Sequence, residues 1–182
     1  MDRMACKIEI GGQISRSAID SDEGENVTLL HSLIAHINDE GVQSDYGDNV
    51  HGLSEENLSD FMNNDGYLEF VHESKSNGEF EDLEIWLREH KTPYKRWTEP
   101  DVYNGEIVYF TPEKETPLIV CVDVNGQEMV SGVTGRAILE LLNSHSCANC
   151  GGPSSDELKQ AIHSLEEELP VIPEIPMFKI VE

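Results

Sequence analysis

Two thiols and two imidazoles fall close together in one stretch of the chain: His145, Cys147 and Cys150, with His163 following after twelve intervening residues. Thiolate and imidazole are the ligands tetrahedral zinc prefers, and a short turn can present two sulfurs while the next helix returns a nitrogen. Cys147, Cys150, His163 and His145 are therefore the metal ligands this sequence would offer, with zinc as the ion. Against that, no His or Cys follows His163, and His145 stands too near Cys147 to close a chelate ring without strain. A redox pair is disfavoured as well, because reactive Cys-x-x-Cys motifs open a helix directly and here Gly151-Gly152-Pro153 intervenes. The plainer expectation is a loop between two helices that carries thiols and no cofactor, with a small zinc- or thiol-dependent factor as the alternative.

Other chemistry is thin. His31 and His36 are five residues apart in a helical stretch, so they point to different sides and do not share an ion. Carboxylate pairs such as Glu81 with Glu84, or Glu99 with Asp101, carry no signal for acid-base catalysis in a chain with 36 Asp and Glu residues. There is no Gly-x-Gly-x-x-Gly, no Walker lysine loop, no His-Glu-x-x-His and no nucleophile elbow. Gly132 to Arg136 lacks the spacing of a phosphate loop, and Asp20 to Glu25 lacks the twelfth-position acid of a calcium loop. No catalytic residue is assigned, and a binding role is expected ahead of an enzymatic one.

Charge is the outstanding property. Only 12 Lys and Arg oppose those acids, for a formal net charge of -24. Nucleic-acid binding needs a basic stripe that displaces condensed counterions, and the longest basic run is Lys95-Arg96, so direct nucleic-acid binding is excluded as an expectation. No apolar run approaches the roughly 20 residues that span a bilayer, and acidic surfaces are repelled by anionic head groups. The start of the chain lacks the apolar core of a signal peptide. Cytoplasmic placement, with reduced thiols, is the expectation, and a basic protein surface is the expected partner.

The elements that must position any site follow from periodicity. Met4 to Ile10 alternates as a strand and ends at Gly11-Gly12. Asn26 is positioned to cap a helix using Val27, Leu30, Leu33, Ile34 and Ile37, with Gly41 as its stop, and Ser54 to cap a shorter one through Leu58, Phe61 and Met62. A strand from Tyr67 precedes an amphipathic helix, Glu79 to His90, that sets Phe80, Leu83, Trp86 and Leu87 on one side and pairs Glu84 with Arg88 on the other. Strands are expected at Tyr94 to Thr98, Glu106 to Phe110 and Leu118 to Val124, the last apolar on both faces and hence the most buried. Asn125-Gly126 would turn it onto Gln127 to Val130. Helices beginning at Thr134 and Ser155 follow, and after the proline-rich tail Met177 to Val181 forms an edge strand.

The composite expectation is an α+β fold, a mostly antiparallel sheet of about five strands with four to five helices packed on it. It would divide into residues 1–66 and 67–182 or form a single domain. Its function is expected to be that of an acidic interaction or inhibitory protein that occupies a basic site on a DNA- or RNA-handling protein by imitating phosphate charge. Duplex DNA carries one charge per ~1.7 Å, so the surplus matches roughly 40 Å of duplex. Acidic proteins of phages and mobile elements that block restriction or CRISPR machinery use such imitation, an analogy of charge that no motif here supports. Glu81, Asp82, Glu84, Trp97, Asp101 and Tyr103 are the candidate contact residues. The third reading is a structural homo-oligomer in which the tail adds a strand to a neighbouring subunit.

Overall fold

The computed structural model describes residues 3–20, 26–43, 52–76, 78–99, 105–123 and 171–182. The chain forms two compact units, Met1–Gln127 with Pro173–Glu182, and Glu128–Ile172. All described elements belong to the first unit.

Its frame is an antiparallel sheet of five strands in the order β5-β1-β6-β7-β8, formed by Leu68–Ser76, Arg3–Ile10, Tyr94–Thr98, Gly105–Phe110 and Leu118–Val122. Alternation decides the faces. Cys6, Ile8 and Ile10 of β1 and Tyr94 and Arg96 of β6 turn inward and are buried, while Lys7, Glu9, Lys95 and Trp97 turn outward. Helices α1 (Leu29–Asp39) and α2 (Glu81–Glu89) bury Leu30, Leu33, Ile34, Ile37, Leu83, Trp86 and Leu87 in the same core. Two small sheets complete the unit. β3 (Ala18–Asp20) pairs antiparallel with β4 (Asn26–Thr28), and β2 (Gln13–Ser15) runs parallel to β9 (Lys179–Val181).

The sheet follows expectation, and the helices do not. Among the described residues there are two α-helices in place of four to five, so the fold is a sheet-rich α+β. Asn26 does not cap α1: Val27 pairs with Ile19 across β3–β4, and the cap passes to Thr28, whose Oγ1 accepts the His31 N–H at 3.2 Å. The segment after Ser54 tightens only into a 3-10 turn, Leu58–Phe61, with Ser54 bonded to Asn57. The helices expected from Thr134 and Ser155, and the turn at Asn125-Gly126, lie outside the described residues.

One further expectation changes. β8 is the last strand of the sheet among the described residues and is not the most buried one. Val120 and Val122 are buried, but Ile119 is 59% exposed and Cys121 is exposed, because successive side chains of a strand turn to opposite faces and these two turn away from the core. The tail pairs inside its own chain. Gly12 N–H donates to Pro176 O at 2.9 Å, Lys179 N–H to Gly12 O at 2.8 Å, Phe178 N–H to Gly66 O at 2.9 Å, and the Tyr67 hydroxyl to Ile175 O at 2.9 Å. Phe178 enters the core. Gly11 is required beneath this strap, since a Cβ there would stand 2.6 Å from Ile175 Cγ2 and against Pro176 O.

Candidate functional site

Acidic residues at a helix C-terminus oppose the macrodipole, whose negative end lies there. α1 nevertheless ends in Asp39 and Glu40. Glu40 is compensated from two directions: Lys75 of β5 pairs with Oε2, and the Leu83 N–H in the first turn of α2 donates to Oε1 at 3.2 Å. Helix α2 needs that cap, because its own N-cap, Phe80, offers no side-chain acceptor. One carboxylate thus holds the end of α1 to the beginning of α2 and opens a cleft of about 490 Å³ between them, lined by His36, Asp39, Glu40, Lys75, Asp82, Ile85, Trp86 and Glu89.

The floor of the cleft is rigid. Trp86 Nε1–H donates to Ser32 Oγ at 3.0 Å, His90 stacks on the indole at 4.1 Å between ring centroids, and His36 lies tilted at 5.5 Å. Both imidazoles commit Nδ1 to backbone carbonyls, Ser32 O at 2.8 Å and Trp86 O at 2.9 Å. A carbonyl only accepts, so Nδ1 carries the proton in each ring. The rim is acidic: Asp39, Asp82 and Glu89 are exposed, and Glu81 stands beside Asp82 in the first turn of α2. Ile85, 41% exposed, sits in their midst.

Glu84 belongs elsewhere. Expected on the outer side of α2, it is only 5% exposed and faces the sheet, where it meets the buried Arg96. Arg96 Nε lies 2.8 Å from Glu84 Oε1 without its N–H aligned on that oxygen, an ion pair rather than a hydrogen bond. The guanidinium also reaches Glu106 at 2.6 Å and Gly78 O at 2.9 Å, and the Tyr94 hydroxyl donates to Glu84 Oε2 at 3.0 Å. Burial pushes the Glu84 carboxyl above its ordinary range against the pull of Arg96, and pushes the Tyr94 phenol up as well. This network positions α2 on the sheet and is closed to a partner.

Of the candidate contact residues, Asp82 lines the cleft, and Glu81 is exposed beside it in the first turn of α2. Trp97 is half-buried on the outer face of the sheet, beside Lys7 and Ile107 in register, and so is separated from them. Asp101 and Tyr103 lie outside the described residues, as do all four candidate zinc ligands, His145, Cys147, Cys150 and His163. Among the described residues no three His, Cys, Asp or Glu side chains converge to hold a metal ion, and no helix is long and apolar enough to cross a membrane. Sequence reasoning missed Asp39, Glu40, Ile85 and Glu89. Two signals were present: acids at the wrong end of α1, and an isoleucine on the charged stripe of α2. Comparison with protein families, with curated proteins and with solved structures finds no match for this chain.

Proposed function

We propose that this chain is an acidic interaction protein that engages a basic protein surface, in the manner of a phosphate mimic. The observation that carries the reading is how the cations are used. Lys7 pairs with Glu9 and Glu69, Arg16 with Glu55 and Glu182, Lys75 with Glu40, Lys95 with Glu9, and Arg96 with Glu84 and Glu106. Arg88 lies 3.8 Å from Glu84. Among the described residues Lys91, Lys114 and Lys179 have no such partner, and none of the three lines the α1–α2 cleft. Carboxylates on that rim therefore keep an uncompensated field, which accelerates and orients encounter with a cationic surface.

The test is capture on the immobilised full-length chain at low salt, followed by reconstitution with the purified partner. The reading expects a partner with a basic nucleic-acid-binding face, displacement of the chain by duplex DNA, and affinity that falls at least tenfold between about 50 and 200 mM salt. Binding indifferent to salt and to DNA overturns it.

A further inference from the structure

We propose that the α1–α2 cleft seats an extended basic peptide segment carrying one apolar side chain between lysines or arginines. The proposal rests on the reading above and names where, and by what chemistry, a partner is held.

The arrangement of the carboxylates selects the occupant. A single metal ion needs its ligands gathered at one point, and among the described residues no such convergence exists. Asp39 lines the cleft from α1, and Asp82 and Glu89 line it from α2 about two turns apart. Charges spread along a cleft match charges spread along a chain. The C-terminal end of α1, which opens on the same cleft, adds the negative pole of an eleven-residue helix. Lys75 does not repel the guest, because Glu40 already neutralises it.

The apolar component comes from Ile85. On α2 its surface neighbours at i−4, i−3 and i+4 are Glu81, Asp82 and Glu89, and the fourth, Arg88 at i+3, is engaged with the Tyr94 hydroxyl and Glu84, so an exposed aliphatic group has carboxylates at three of its four neighbouring positions. An apolar anchor in a charged ring is the arrangement in which water exclusion strengthens the surrounding ion pairs. The floor beneath it is already ordered, since Trp86 is held by Ser32 and flanked by His36 and His90, so docking loses little side-chain freedom on this side. The cleft, at about 490 Å³, lies in the range of small-ligand and peptide pockets.

The experiment uses the full chain and two labelled octapeptides of lysine, one with a central leucine and one with glycine in its place, titrated at low salt. The leucine peptide should bind about fivefold tighter, the gain from partial burial of one aliphatic side chain. Ile85→Ser should erase that difference and leave the glycine peptide's affinity unchanged. Asp82→Lys with Glu89→Lys should weaken both peptides at least tenfold, whereas Glu113→Lys with Glu174→Lys, at exposed positions away from the cleft, should not. Each variant is first shown to unfold at the wild-type urea midpoint, and its substitutions fall on exposed residues. Salt-sensitive binding that ignores both cleft variants overturns the cleft as the site while leaving the acidic-interaction reading in place. Absence of binding by either peptide to the wild-type chain overturns both.

Discussion

Glu40, at the end of α1, accepts the backbone N–H of Leu83 at 3.2 Å and so caps the first turn of a different helix. A carboxylate unfavourable to its own helix is favourable to the next one, because the two macrodipoles present opposite poles at the junction. Glu40→Ala should destabilise the fold by about 1–2 kcal/mol, the range for a lost N-terminal cap with its charge, and Glu40→Gln by about half as much. Urea unfolding measures both. A wild-type midpoint for the alanine variant would show that the cap contributes nothing.

The buried pair gives a second expectation. Removing Arg96 takes from the buried Glu84 its nearest cation and leaves only the more distant Arg88, so Arg96→Met should lose about 3–5 kcal/mol. The double variant Arg96→Met with Glu84→Leu should recover a large part of that loss, since no buried charge is stranded opposite Glu84's position. Additive losses in the cycle would mean that the two side chains act independently.

Two carboxylates should tilt the pH profile of stability in opposite directions. Burial opposes ionisation of Glu69, but the Asn63 amide and the Lys7 ammonium outweigh it and hold its pKa below the ordinary value of 4.5. Its contribution is present above that value and is lost as pH falls through the folded pKa. Burial raises Glu84 above the same value, so its contribution is full below 4.5 and declines as pH rises from there to the folded pKa. Urea unfolding from about pH 3 to about pH 7 should show Glu69→Gln flattening the acid-side loss and Glu84→Gln removing the decline on the other side. Shifts of the same sign in both variants would contradict the assignment.

Thiol chemistry should separate Cys6 from Cys121. Cys6 is fully buried, and burial pushes its pKa up to about 12. The thiolate is the nucleophile, so an alkylating reagent at neutral pH should leave Cys6 unmodified in the folded chain, whereas Cys121 is exposed on β8 and should react. Peptide mass mapping with and without urea resolves the two sites. Labelling of Cys6 before unfolding would refute its burial.

Gly11 tests the strap. Gly11→Ala places a methyl group against Ile175 and Pro176 and should release the tail, withdraw Phe178 from the core and speed exchange of the Lys179 amide, which is bonded to Gly12 O. Hydrogen exchange read at the C-terminal peptide gives the answer. Unchanged protection would mean that the backbone at Gly11 yields without cost.

Much of the fold was legible because the pattern is local. Inward Cys6, Ile8 and Ile10, the α2 stripe of Leu83, Trp86 and Leu87, and the strands from Tyr94 and Leu118 all follow from periodicities of two and 3.6. Glu84 was misplaced for a reason periodicity cannot supply. Next to Leu83 and Leu87 it borders the apolar stripe, and its inward position depends on Arg96, twelve residues on in β6. The helix start misplaced to Asn26 has the same origin, since Val27 is claimed by a partner strand.

By itself the sequence determined the net charge and the strands and helices whose apolar spacing is written in consecutive residues. Tertiary structure alone decided which carboxylates remain at the surface. Cations come to neutralise acids through pairings between distant segments, as Lys75 does for Glu40 and Arg96 for Glu84. Coulomb energy depends on separation and on the dielectric around the charges, neither of which is a property of position along the chain.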